Sequence, residues 1–227
     1  TAIARTIGKN NIEVIKSPNK ASVFVKTELP EKAELSKCMI MHTRAATQGL
    51  AKDNNNNHPI YSKEGVVLVH NGIINNDDVL FAKHSFVRDG LVDSEIILHL
   101  VKKGWWKDIK KLEELRGSCA CALLNSGKPG ELILVRSGNP LSVLVDKERD
   151  MIFFASTRSA LESAVKRPFH RGFSTLMIEE VEDDLALLIT NKGLEDIEEV
   201  TVSSSYVYKS NYPSYCSSSK FTTNIGG

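Results

Sequence analysis

From Gly117 onward the chain sets strand after strand with little room for helix between them. Ser118–Leu124, Leu132–Arg136, Val143–Asp146 and Met151–Ala155 are short apolar runs, each closed by Gly, Pro or charged turn residues. Connections that short join antiparallel neighbours, since a parallel pair needs a long crossover. Upstream, Thr1–Ile7 and Ile12–Lys16 read as a hairpin about Gly8-Lys9-Asn10-Asn11, and Ala21–Val25 is ambiguous between strand and helix. Cys38–His42 and Val66–Val69 are continuous apolar runs of the kind buried on both faces. Two helices interrupt the strands. Ser94–Lys103 puts Ile96, Ile97, Leu100 and Val101 on one face behind Asp93 as N-cap, and Lys107–Leu115 follows. Ser159–Val165 reads as a short helix, with Thr175–Ile178 and Leu185–Thr190 as strands. Strands, two helices and strands again predict an α+β fold of two packed sheets with helices outside them.

Composition narrows the function. Lys and Arg number 29 against 28 Asp and Glu, so no basic excess exists for nucleic acid. No apolar run approaches the roughly 18 residues that span a bilayer. Four cysteines (Cys38, Cys119, Cys121, Cys216) are too few for a disulfide scaffold and predict a reducing, cytoplasmic setting. Nucleotide signatures of the Gly-x-Gly-x-x-Gly or Walker type are absent. Residues 1–202 are expected to form one domain, and residues 203–227 a Ser-, Tyr- and Asn-rich arm.

Polar residues gather in four places: His42-Thr43-Arg44-Ala45-Ala46-Thr47-Gln48-Gly49, Asn57-His58-Pro59, His70-Asn71-Gly72-Ile73-Ile74-Asn75-Asn76 and Asp93-Ser94-Glu95. Two of them follow buried strands, where side chains converge at a sheet edge. Arg44 offers a planar fork to a carboxylate and Asp93 an anion to an ammonium. Asn71 and Gly72 offer an amide and an unhindered backbone N–H, the parts of an oxyanion hole. Such a set suits an α-amino acid whose side-chain carbonyl is attacked. Each residue has a plainer reading: Arg44 as half of a surface ion pair, Asp93 as a cap only, His42 and His70 as partnered core histidines. Cys119 and Cys121 share a strand face and read as core, and Trp105-Trp106 as a plug at a helix end. A zinc site from His42, His58, His70 and Cys38 fits poorly with their irregular spacing.

In order and spacing these strings resemble the class II, N-terminal-nucleophile glutamine amidotransferases, the family of the glutaminase domains of glucosamine-6-phosphate synthase and glutamine phosphoribosylpyrophosphate amidotransferase. The resemblance runs from Thr1 to about Ala155, and includes Ser137-Gly138-Asn139-Pro140-Leu141 and Ala155-Ser156-Thr157-Arg158. Ser137 stands where the family often has Asp, and Thr157 where it often has Glu. The resemblance implies a four-layer αββα sandwich in which Arg44 and Asp93 hold the glutamine α-carboxylate and α-amine. It also implies that Asn71 and Gly72 stabilise the tetrahedral oxyanion, that Thr47 and Gln48 lie on a closing loop, and that Asn54–Asn57 form its flexible return. Neither cofactor nor metal is implied.

The family's nucleophile is an N-terminal cysteine whose own α-amine is the base, an amine of pKa ~7.7–8.0 rather than a lysine at ~10.4. Thr1-Ala2-Ile3-Ala4 looks instead like the family's next strand. Three explanations stand: a nucleophile segment removed or carried on another chain, a catalytically inactive structural or assembly module, or Thr1 itself as nucleophile. The last is disfavoured because Thr1 sits on the wrong strand. The partners expected are glutamine and an ammonia-accepting synthetase or N-terminal segment in a separate chain, with a homo-oligomer left open.

Overall fold

The computed structural model describes residues 1–8, 11–29, 36–43, 56–102, 104–166, 178–203 and 222–224. Strands β1 (Ala2–Ile7), β2 (Asn11–Lys16) and β3 (Met39–His42) form an antiparallel sheet in the order β2-β1-β3, with helix α1 (Ala21–Thr27) between β2 and β3. Then come β4 (Ile60–Tyr61), β5 (Val66–Ile74), helices α2 (Asp77–Lys83) and α3 (Glu95–Val101), and a 3-10 helix, Trp105–Glu114. The remaining strands are β6 (Gly117–Asn125), β7 (Leu132–Ser137), β8 (Ser142–Asp146), β9 (Met151–Ala155), β10 (Ile178–Glu180), β11 (Leu185–Thr190), β12 (Gly193–Glu199) and β13 (Thr222–Asn224), with helix α4 (Arg158–Lys166) between β9 and β10. A seven-stranded antiparallel sheet runs β13-β12-β11-β7-β6-β5-β4, and a second three-stranded sheet runs β10-β8-β9.

Strand alternation sorts the core into layers. Leu68 and Ile74 of β5 and Cys119, Cys121 and Leu123 of β6 face Ile96, Ile97 and Leu100 of α3 and Ile109 and Leu112 of the 3-10 helix. Val67, Val69, Ala122 and Leu124, one residue out of phase, face Ala4, Ile40, Leu141 and Val143 of the two small sheets. Leu161 of α4 closes the far side against Leu144 and Ile178. Helices, sheet, paired small sheets and helix make the four-layer αββα sandwich. A slip of one residue in β5 would exchange Val69 with His70 across the layers, so burial of both faces pins the register.

Several expectations are corrected. Ala21–Val25 is helical. Asp93 is not an N-cap: α3 starts at Glu95 behind Ser94, with no side-chain cap bond. The second helix is 3-10, and Asp108 turns back to accept the N–H of Gly104 at 2.7 Å. The strand from Val66 continues to Ile74 through the polar His70-Asn71-Gly72. Residues 222–224 of the expected arm pair with β12 as β13. Asn56, within the segment expected to be a flexible return, is buried and accepts the N–H of Leu91 at 3.1 Å.

Candidate active site

β3 and β9 each end their small sheet, and the two edges border one cavity of about 300 Å³. Met41, His42 and Thr43 line it from the first sheet, and Phe154, Ala155 and Ser156 from the second. Its floor is the seven-stranded sheet, where Val69, His70 and Asn71 of β5 lie beside Ala120, Cys121 and Ala122 of β6. Asn71 is on the floor face with its side chain exposed, and its carbonyl accepts the Asn139 side-chain amide at 2.9 Å. Thus the Ser137–Leu141 string, which carried no assigned role in the sequence, supports the strand that presents Asn71.

Gly72 sits where β6 crowds β5. A Cβ there would lie 2.1 Å from the Ser118 carbonyl oxygen and 2.6 Å from His70 Nε2, so no side chain fits. Its N–H direction follows from its neighbour. Ile74 N donates to Asp93 Oδ2 at 2.7 Å, away from β6, and residues two apart in a strand point their N–H groups the same way. The Gly72 N–H therefore faces away from β6, on the side of Asp93, where among the described residues β4 pairs only with Val67 and Leu68. Asp93 holds this arrangement through both oxygens, since Oδ1 accepts the Ser94 N–H at 2.8 Å and the Ser94 hydroxyl at 3.2 Å. Among the described residues, three of its roughly four lone-pair positions are taken. The structure thus brings Asn71, Gly72 and Asp93 to one end of β5, although Asp93 lies behind the cavity wall rather than on it.

Behind Asn71, His70 is buried in the helix-side layer, with Nδ1 2.8 Å from Ser94 Oγ and Nε2 3.2 Å from the Ser118 carbonyl. Burial pushes its pKa down, but a hydrogen bond with Cys119, the charges of Cys119 and Asp93 and the Ser118 carbonyl outweigh it, and the net shift is upward. A hydrogen bond from Cys121 brings the Cys119 thiol down to about 6 against burial, with His70 assisting, while Cys121 itself is pushed up. Both thiols are packed in the helix-side core.

The other calls fall as follows. Arg44, Thr47 and Gln48 lie outside the described residues. The Thr1 nitrogen donates to Ser17 O at 2.8 Å and Asn19 O at 3.2 Å, and Thr1 does not line the cavity. Ser137 Oγ donates to Asp184 at 2.5 Å and accepts the Val202 N–H at 2.9 Å. Thr157 Oγ1 accepts the Ala160 N–H at 3.3 Å where α4 begins, so both departures from the family pattern have structural work. Glu95 points away from Asp93, into a separate cavity of about 580 Å³ between β4, α3 and residues 85–92.

The family model described as a glutamine amidotransferase domain matches residues 42–163, a stretch that contains all four polar strings. The chain belongs to this family. It is 30% identical over 221 residues to the glutamine–fructose-6-phosphate aminotransferase (isomerizing) of Buchnera aphidicola, covering 89% of this chain and 34% of that protein. The enzyme of the same name from Pseudomonas syringae is 33% identical over 174 residues, 71% of this chain and 27% of its own length. The amidotransferase domain therefore spans about a third of the curated relatives it matches. Among solved structures, the glutamine phosphoribosylpyrophosphate amidotransferase of Bacillus subtilis superposes with a TM-score of 0.63 at 22% identity, over 86% of this chain and 42% of that one. A glutamine aminotransferase class-II domain protein from Silicibacter pomeroyi gives 0.58 at 16% identity, over 88% and 91%. Both share the N-terminal-nucleophile hydrolase fold.

Proposed function

We propose that this domain hydrolyses the side-chain amide of glutamine to glutamate and ammonia, through a γ-glutamyl thioester on a cysteine carried by a segment outside residues 1–227. The observation that carries the reading is the meeting of Asn71 and the outward Gly72 N–H with the Asp93 carboxylate at one end of β5. Asp93 takes the glutamine ammonium, Arg44 its carboxylate, and Thr47 and Gln48 close over it. When the thiolate adds to the amide carbon, the Asn71 amide and the Gly72 N–H receive the new oxyanion. The α-amine of the same cysteine takes the thiol proton and returns it to the departing ammonia; water then cleaves the thioester.

The cavity supports a seat for that segment. Among the described residues no strand pairs with the outer edges of β3 and β9, which border the same space above a floor of Val69 and Ala122. One extended strand of small apolar residues would pair with both edges and join the two small sheets into a layer of seven strands, matching the sheet below. Ammonia then passes to an acceptor enzyme, in the same or another chain. Relatives named for amino transfer from glutamine to fructose 6-phosphate support such an acceptor.

Calorimetric titration of the chain with glutamine tests the binding half. One glutamine is expected to bind, with affinity reduced about 10- to 100-fold by Asp93→Ala, the loss of one partner of a partly buried ion pair. Adding a peptide that begins with the family's N-terminal cysteine should produce glutamate release. A chain that binds no glutamine is an assembly module of the same fold, and the reading fails.

A further inference from the structure

His70, Ser94 and Asp93 form a chain whose protons can be counted. The Ser118 carbonyl only accepts, so His70 Nε2 carries a hydrogen. Nδ1 lies 2.8 Å from Ser94 Oγ, and the same hydroxyl lies 3.2 Å from Asp93 Oδ1. If the imidazole is neutral, Nδ1 and Asp93 Oδ1 are two acceptors competing for one hydroxyl hydrogen. If the ring is protonated, Nδ1–H donates to Ser94 Oγ and the Ser94 hydroxyl donates to Asp93, and every atom is satisfied. A buried cation then stands two hydrogen bonds behind the carboxylate assigned to the glutamine ammonium.

Resting on that assignment, we propose that a proton on His70 and the ammonium of glutamine compete for the Asp93 carboxylate, so that binding glutamine expels the His70 proton to solvent. His70 is thereby a positioning residue: it touches no substrate and acts through Ser94 and Asp93. Each cation stabilises the carboxylate and repels the other, and linkage requires the effect to be mutual. The remaining groups that face the ring are Cys119, with Cys121 beside it, on β6 and the His58 ring with its centroid at 6.4 Å; His42 lies 4.8 Å beyond His58. Cys119 favours the cation, and none of these groups lies between His70 and Asp93.

The test follows the His70 ring by NMR as pH is raised, without and with saturating glutamine, alongside calorimetry in two buffers of different ionisation enthalpy. Without glutamine, His70 should titrate above an ordinary histidine, and Asp93→Asn should lower its midpoint by about one unit. Ser94→Ala should lower it too, which covers the case in which Asp93→Asn does not fold. With glutamine the wild-type midpoint should fall. Affinity should rise about tenfold from roughly pH 6 to 8, with proton release that His70→Gln abolishes. Glutamine binding that leaves the His70 midpoint unmoved and releases no proton overturns this inference alone. An absence of glutamine binding at every pH overturns both it and the function proposed above.

Discussion

Replacing Gly72 by alanine should destabilise the domain by about 3–5 kcal/mol, among the larger effects of a single methyl group. The added carbon would meet the Ser118 carbonyl at 2.1 Å and His70 Nε2 at 2.6 Å. Neither neighbour can yield cheaply: the first is backbone held in the β5–β6 ladder, and the second is a buried ring fixed at both nitrogens. Relief therefore requires β5 and β6 to part at the site that presents Asn71. Gly117 faces the Ile73 carbonyl across the same ladder at 1.9 Å from its would-be Cβ, and Gly117→Ala should behave alike. The contrast is Gly8, left-handed at φ +60° but with nothing within 4 Å of its added carbon, where alanine should cost only about 1 kcal/mol. Thermal unfolding distinguishes them: roughly 6–20 °C lost for Gly72→Ala in a chain of this size, and a few degrees for Gly8→Ala. Equal losses would mean that the strands are not pressed together at Gly72.

Why a glycine follows Asn71 was half legible. The His70-Asn71-Gly72 string marked a site, yet the polar residues suggested that the strand stopped at His70. It continues because β6 supplies a full partner for each of these residues down to Gly117. A strand end that borders a cavity carries polar side chains for chemical reasons, and pattern alone cannot tell that from a loop. The reverse held for the apolar runs. β6 and β7 were readable because burial on both faces leaves no alternative to hydrophobic residues, whereas Met39–His42, expected to be buried on both faces, is an apolar edge strand with Met41 exposed. β12 was missed because its sequence, Gly-Leu-Glu-Asp-Ile-Glu-Glu, is mostly acidic; Leu194 is buried and Ile197 packs on the helix-side core, across a register shift at Ala186/Leu187. The role of Asn139 had no sequence signal apart from its neighbourhood. Nor could periodicity foresee that Asp93 would spend its oxygens on Ile74 and Ser94 rather than cap α3.

Glu95 is the third member of the Asp-Ser-Glu string and the one with no place in the proposed chemistry. Removing its carboxylate should nevertheless cost about 2–3 kcal/mol, because it leaves half-buried donors without their acceptor. Its oxygens accept the Asp89 N–H at 2.6 Å and the Gly90 N–H at 2.9 Å, and Oε1 lies 3.5 Å from His99 Nε2 one turn along α3. Phe86 stacks on His99 at 4.8 Å, so the carboxylate ties the segment joining α2 and α3 to the helix that follows it. Burial alone would raise the Glu95 pKa; hydrogen bonds from His99 and the two backbone N–H groups prevail and hold it below the usual range. A carboxyl whose pKa is lower in the folded than in the unfolded chain contributes stability above its unfolded value, near 4.5. That contribution disappears as pH falls through the folded value. Wild-type stability should therefore drop steeply below about pH 4.5, and the Glu95→Gln curve should be flatter there. At neutral pH, Glu95→Gln keeps one acceptor and should cost about 1–2 kcal/mol, whereas Glu95→Ala leaves three donors unanswered. Chemical denaturation of the three proteins at pH 7 and across the acid range measures both effects. If Glu95→Ala unfolded no more easily than Glu95→Gln, residues 89 and 90 would owe their position to something other than this carboxylate.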